Sequence, residues 1–227
     1  MKIEENCGGG DTVIVYPKDA LARVPASHTE LLTSPVREAF LDPAAYFRRI
    51  AARCRIASMR QWLEQLVRKN RWELRLHTNG HDCPGIAAFA FHAPSITTAE
   101  IAPPRAESLE RNFPAEIVEF YSLVDWVHWS IYGGAGGIER GGAQTAIGDF
   151  GQPCVGAKID IEQTNLLGST GGGDMFIYTA DGRGGMLCHE NLHVHLIGTI
   201  GETLEWMFQE LLENREPEFD YNAWMRH

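Results

Sequence analysis

A chain of 227 residues, 44% hydrophobic and 22% charged, is long enough for one large domain or two small ones and has too many apolar residues for a disordered polymer. No apolar run approaches the roughly 20 residues that a membrane-spanning helix needs, and Met1-Lys2-Ile3-Glu4-Glu5 lacks the basic-then-apolar order of a signal peptide, so the expectation is a cytoplasmic protein with no membrane partner. The net charge of −10 argues against general attraction to nucleic acid or anionic lipid and leaves a basic partner open.

In chain order, the first signals are helical. Asp42 before Pro43 is an N-cap followed by proline at the first helical position, and Phe47, Ile50 and Cys54 recur at helical spacing. Ser58 with Gln61 reads as a capping box for a second helix, whose apolar stripe is Trp62, Leu63, Leu66 and Val67 and which ends near Asn70. Trp72, Leu74 and Leu76 alternate with Glu73, Arg75 and His77 as a strand closed by the Asn79-Gly80 turn, with Ile86 to Phe91 as a partner strand. A further helix starts at Pro114, with Glu116 and Glu119 near its positive end and Ile117, Phe120, Tyr121 and Val124 as its buried stripe.

Strand patterns then take over. Val127, Trp129 and Ile131 form one; Val155, Ala157, Ile159 and Ile161 alternate with Gly156, Lys158 and Asp160 in another; Met175 to Tyr178, Met186 to Cys188 and Val194 to Ile197 supply three more. A last helix opens on the capping box Thr199 to Glu202 and carries Leu204, Phe208, Leu211 and Leu212. The expected class is α+β, with residues 1–95 as an N-terminal helical and strand extension and residues 96–227 as a second domain. Eighteen of the 23 glycines fall between Gly133 and Gly201, and the runs Gly133-Gly134-Ala135-Gly136-Gly137, Gly171-Gly172-Gly173 and Gly8-Gly9-Gly10 read as turns: they lack GxGxxG spacing and a Walker lysine.

Charge follows the same division. Residues 37–75 carry ten basic groups against four acidic, whereas residues 100–227 carry seven basic against twenty acidic, a net of −13. The basic stretch of Arg48, Arg49, Arg53, Arg55, Arg60, Arg68, Lys69 and Arg71 could touch nucleic acid, but a helical surface in a chain with surplus acids is more simply a paired one, and no nucleic-acid partner is expected. Five cysteines, Cys7, Cys54, Cys83, Cys154 and Cys188, are odd in number, widely spaced and without a CxxC pair, which predicts reduced, buried thiols.

His189-Glu190-Asn191-Leu192-His193 is a literal HExxH. On a helix its two histidines would share a face and hold zinc, with Glu190 as the base that deprotonates bound water and Glu213 as a third ligand from the following helix; this defines the alternative of a zinc-dependent hydrolase. Glycines before the motif and Val194-His195-Leu196-Ile197 after it predict strand or turn, where that geometry is lost. His193 and His195 could also bind a metal from one side of a strand, although exposed sheet histidines are the simpler reading. The acids Asp160, Glu162, Asp174, Asp181, Glu190 and those between Glu210 and Glu218 could supply a carboxylate pair, and no GxSxG or family-type cysteine is present. No metal, cofactor or catalytic residue is therefore expected.

Leu109-Glu110 with Phe113-Pro114-Ala115-Glu116-Ile117 and Phe120-Tyr121, then Leu167-Gly168, Gly172-Gly173-Asp174 and Met175-Phe176-Ile177-Tyr178, then His189-Glu190, Leu196-Ile197-Gly198-Thr199 and Leu204-Glu205-Trp206-Met207 follow a familiar order and spacing. In this order, over residues 96–214, the chain resembles the SUKH superfamily. That resemblance implies a mixed, mostly antiparallel sheet flanked by helices, and a non-enzymatic binding domain. Many bacterial members of the family are immunity proteins that neutralise a cognate toxin by occlusion; others are regulatory or structural adaptors. The implied partner is a protein, and the acidic second half would complement a basic toxin domain.

Overall fold

The structure, a computed structural model, describes residues 3–6, 12–17, 38–39, 41–69, 72–78, 86–92, 98–104, 113–131, 134–139, 147, 155–156 and 159–218. The Asn79-Gly80 turn, the glycine run 8–10, Gly133, Leu109-Glu110, Arg71, Ala157-Lys158, and Cys7, Cys83 and Cys154 lie outside them.

Two helices, α1 (Pro43–Arg53) and α2 (Ala57–Lys69), sit between strands β1 (Ile3–Asn6) and β2 (Thr12–Pro17) and strands β3 (Trp72–Thr78), β4 (Ile86–His92) and β5 (Thr98–Ala102). Helix α3 (Ala115–Leu123) precedes β6 (Trp126–Ile131), β7 (Gly134–Glu139), β8 (Val155–Gly156), β9 (Thr164–Ser169), β10 (Met175–Thr179), β11 (Arg183–Leu187) and β12 (His193–Thr199), and helix α4 (Ile200–Leu212) follows. The strands form a single sheet in the order β1-β2-β3-β4-β5-β6-β7-β9-β10-β11-β12-β8. Every neighbouring pair is antiparallel except β12 with β8, which pair in parallel over His193 and Val194. The protein is therefore an α+β fold with a mostly antiparallel sheet and helices.

Alternation along the strands assigns the two faces. Leu74, Ile101, Val127, Trp129, Ile138, Phe176 and Met186 face the helices and share one core with Phe47, Met59, Trp62, Phe120, Leu204 and Phe208. Residues from both sides of position 95 contribute to it. The opposite face has a smaller core in which Ile177, Leu187 and Val194 meet Ile147, with Ile159 and Ile161 against them. Helix α2 is tied to α4 by polar bonds as well: the Ser58 hydroxyl donates to the Glu205 carbonyl at 2.8 Å, and the Ser58 N–H donates to the Glu205 carboxylate at 3.0 Å.

The local caps behave as their residue types dictate. Asp42 accepts from the Ala45 N–H at 2.9 Å with Pro43 starting α1, and Thr199 with Glu202 forms a complete capping box on α4. Three expectations change. Ser58 does not cap α2, because its hydroxyl is buried and committed to Glu205. Of the strand expected over 155–161, Val155–Gly156 is strand and 157–158 lie outside the described residues, whereas at its end the Asp160 side chain accepts from the Glu162 N–H and the backbone enters a 3-10 turn over Ile161–Gln163. The glycines at 134, 136 and 137, expected in a turn, are strand residues of β7, paired with β6 over its full length.

Candidate functional site

Helix α1 ends because Cys54 adopts extended backbone, its N–H still reaching the Ile50 and Ala51 carbonyls. Cys54, Arg55 and Ile56 then carry the chain into α2. Opposite this link stand α3 and the first turn and a half of α4, and between them lies a cavity of about 310 Å³. Its floor is apolar, built from Cys54, Ile56, Phe120, Leu123 and Leu204. Gly201, Leu204 and Glu205 contribute from one face of α4, since positions three and four apart on a helix are neighbours.

The rim is acidic. Glu116 and Glu119 of α3 and Glu205 of α4 line the cavity beside one cation, Arg55, whose Nε lies 3.3 Å from Glu119 Oε1. Three carboxylates thus face one guanidinium around an apolar floor. Burial pushes the Cys54 thiol above its ordinary pKa, and the charges of Glu119 and Glu205 push the same way while Arg60 opposes them. The Cys54 Sγ donates to the Ile56 carbonyl at 3.5 Å, so the thiol is a packed, protonated floor group.

The HExxH residues are placed differently from what a zinc hydrolase requires. Residues 189–191 form a turn, Leu192 takes a left-handed conformation at φ 57°, and His193 is the first residue of β12. His189 Nδ1 lies 2.9 Å from Asp174 Oδ1, and the His193 N–H donates to Asn191 Oδ1 at 2.9 Å. Glu213 terminates α4, where its carboxylate takes bonds from Gln209 and Arg215. His193 and His195 alternate with Val194, and His195 pairs with Met186 across the sheet. Among the described residues no group of three or more His, Cys, Asp or Glu side chains could hold a metal ion. Of the other acids proposed for a pair, Asp181 is bound to Arg183 at 2.9 Å and Glu210 to Arg215 at 2.6 Å.

A second cavity, of about 360 Å³, opens over β6, β7 and β9. Register places Glu100, His128, Gly137 and Ser169 side by side on four successive strands. A Cβ on Gly137 would stand 2.3 Å from His128 Cδ2, so the imidazole lies across a position that only glycine can leave open. On the same face Arg75 bridges Glu73 at 2.8 Å and Glu100 at 2.5 Å. Sequence reasoning missed this groove because its glycines resemble turn residues.

Four residues of the basic stretch are engaged with the protein itself. Arg49 pairs with Glu38, Arg55 with Glu119 and Arg68 with Glu64, while Arg48 Nε donates to the Ala44 carbonyl at 3.0 Å. No helix among the described residues is long and apolar enough to cross a membrane. Comparison with family models, with curated proteins and with solved structures finds no significant match.

Proposed function

We propose that this chain is a non-enzymatic protein-binding protein of the SUKH type, an immunity protein that works in the bacterial cytoplasm by occluding a cognate toxin. The observation that carries the reading is the acidic character of residues 100–227, net −13, with carboxylates gathered at the rim of an apolar cleft. A negative field of this kind raises the encounter rate with a basic surface and selects against acidic ones, while the apolar floor supplies area to bury. The ordered motifs between residues 96 and 214 that resemble the family support the same reading, and that resemblance carries no catalytic residue.

The test is direct. The expected outcome is that the reading frame adjacent to this gene encodes a large secreted toxin whose toxic domain this protein inhibits at a 1:1 ratio, with an association rate that falls steeply as salt rises. Absence of inhibition overturns the immunity reading; a tight complex with a non-toxic protein replaces it with an adaptor. Inhibition whose association rate ignores ionic strength keeps occlusion and removes the electrostatic part.

A further inference from the structure

We infer that the cleft between the α1–α2 link, α3 and α4 is an anchor pocket for one long basic side chain, arginine or lysine, presented by a protein partner. The inference rests on the reading of this chain as a binder of basic proteins and names the place where the contact is made. A side chain of this kind has an aliphatic stem and a terminal cation, and the pocket has the matching order of chemistry. Ile56, Phe120, Leu123 and Leu204 offer apolar surface below, and Glu116, Glu119 and Glu205 stand at the rim. The volume of about 310 Å³ admits one such side chain rather than a helix or a strand.

The balance of charge decides the sign of the ligand. Arg55 is exposed and already pairs with Glu119, and Glu205 Oε1 accepts the Ser58 N–H at 3.0 Å, a bond that removes no charge, so the residues lining the cleft stay net negative. Burial is the main cause of the raised Cys54 thiol, with Glu119 and Glu205 adding to it and Arg60 opposing them. Burying a stem against that floor while the cation stays among carboxylates at the solvent boundary avoids the desolvation that a fully buried ion pair would incur.

Gly201 makes the pocket testable without damaging the fold. It lines the cleft on the same helical face as Leu204 and Glu205, and a Cβ built there meets nothing nearer than Thr199 Oγ1 at 3.9 Å. Gly201→Met therefore places a side chain in the cleft, and replacing glycine within a helix does not weaken it.

The experiment uses the intact protein labelled for NMR and two probes of equal shape, N-acetyl-arginine amide and its neutral counterpart N-acetyl-citrulline amide. The expected result is saturable shifts of the Ile56, Phe120, Gly201 and Leu204 amides with the arginine probe only. Glu116→Gln weakens that binding about two- to fivefold, and Gly201→Met abolishes it while the melting temperature stays equal or rises. Equal response to both probes, no saturable response, or a Gly201→Met protein that still binds the arginine probe overturns the pocket. The two levels separate in the complex: a toxin domain that binds wild type and Gly201→Met equally well refutes the pocket and leaves the immunity reading, whereas a toxin domain that is not bound by wild type refutes that reading whatever the probes do.

Discussion

Asp174 Oδ1 accepts the backbone N–H of His189 at 3.1 Å and stands 2.9 Å from Nδ1 of the same residue. Asp174 is buried, with its side chain 7% exposed, while His189 is 41% exposed. The Asp174 N–H in turn donates to Thr170 Oγ1, so the β9–β10 turn and the β11–β12 turn are held by one carboxylate. A carboxylate oxygen at this distance favours the tautomer in which Nδ1 carries the proton and donates to it. Asp174→Ala is expected to cost about 2 kcal/mol, because it strands the Nδ1–H and the His189 N–H together. A double-mutant cycle with His189→Ala, read by urea unfolding, should return a coupling of about 1 kcal/mol for the imidazole bond; additive losses would show that the turns are joined through the His189 N–H alone.

Tyr46 supplies a pH dependence. Burial and, after it, Glu38 push its phenol up to about 12 from an ordinary value of 10.0, against the opposing charges of Arg49 and Arg53. In the unfolded chain the phenol loses its proton at lower pH than in the folded protein, so above pH 10 the folded state binds more protons and stability falls as pH rises toward 12. Melting temperature should decline between pH 10 and 12, and Tyr46→Phe should flatten that decline. A slope identical in the variant would assign the loss elsewhere, with Tyr178, also raised by burial, as the next group to replace.

Gly168 is, among the described residues, the glycine whose added Cβ would make the closest contact. A Cβ there would lie 2.1 Å from the Gly137 carbonyl oxygen, on the neighbouring strand β7. The obstacle is backbone, so relief requires parting β7 from β9, and Gly168→Ala should destabilise by about 2–4 kcal/mol or more. Denaturant unfolding tests this; a loss under about 0.5 kcal/mol, the ordinary range for surface changes, would mean that the two strands are less closely joined.

The HExxH carries a clear expectation for metal. A turn at 189–191 that leads into β12 separates the histidines from the shared helical face that zinc binding of this type needs. Protein prepared without chelators should contain no stoichiometric zinc by elemental analysis. One zinc per chain, lost with His193→Ala, would restore the hydrolase alternative.

What the sequence makes legible is what is decided locally. The caps at Asp42 and Thr199 need only residues within one turn, and both helices start where those side chains dictate. Strand β7 was opaque for the opposite reason: three glycines in Gly134–Glu139 have no strand preference, and they extend because Trp129 and His128 of β6 lie across Gly136 and Gly137. Asp160 looked like the polar half of an alternation and instead turned the chain. The cleft is the least legible feature. Glu116 and Glu119 were visible as helix-start acids, but their meeting with Cys54 and Gly201 depends on which helices pack together. No spacing rule spans that distance.

Ser58 and Glu205, joined by two hydrogen bonds, are 147 positions apart. During synthesis, at the usual rate of chain growth, this gap lasts on the order of ten seconds. For that interval the nascent helices α1 and α2 lack the surface that later covers them, including Phe208, whose ring centroid ends 5.4 Å from that of Trp62. The finished protein hides Phe47, Met59, Trp62 and Leu63 completely or nearly so, but the growing one presents them as a sticky patch until α4 arrives. A chain that stops before α4 lacks Phe208 and the Glu205 bonds to Ser58, and is expected to be more sensitive to proteolysis than the full chain.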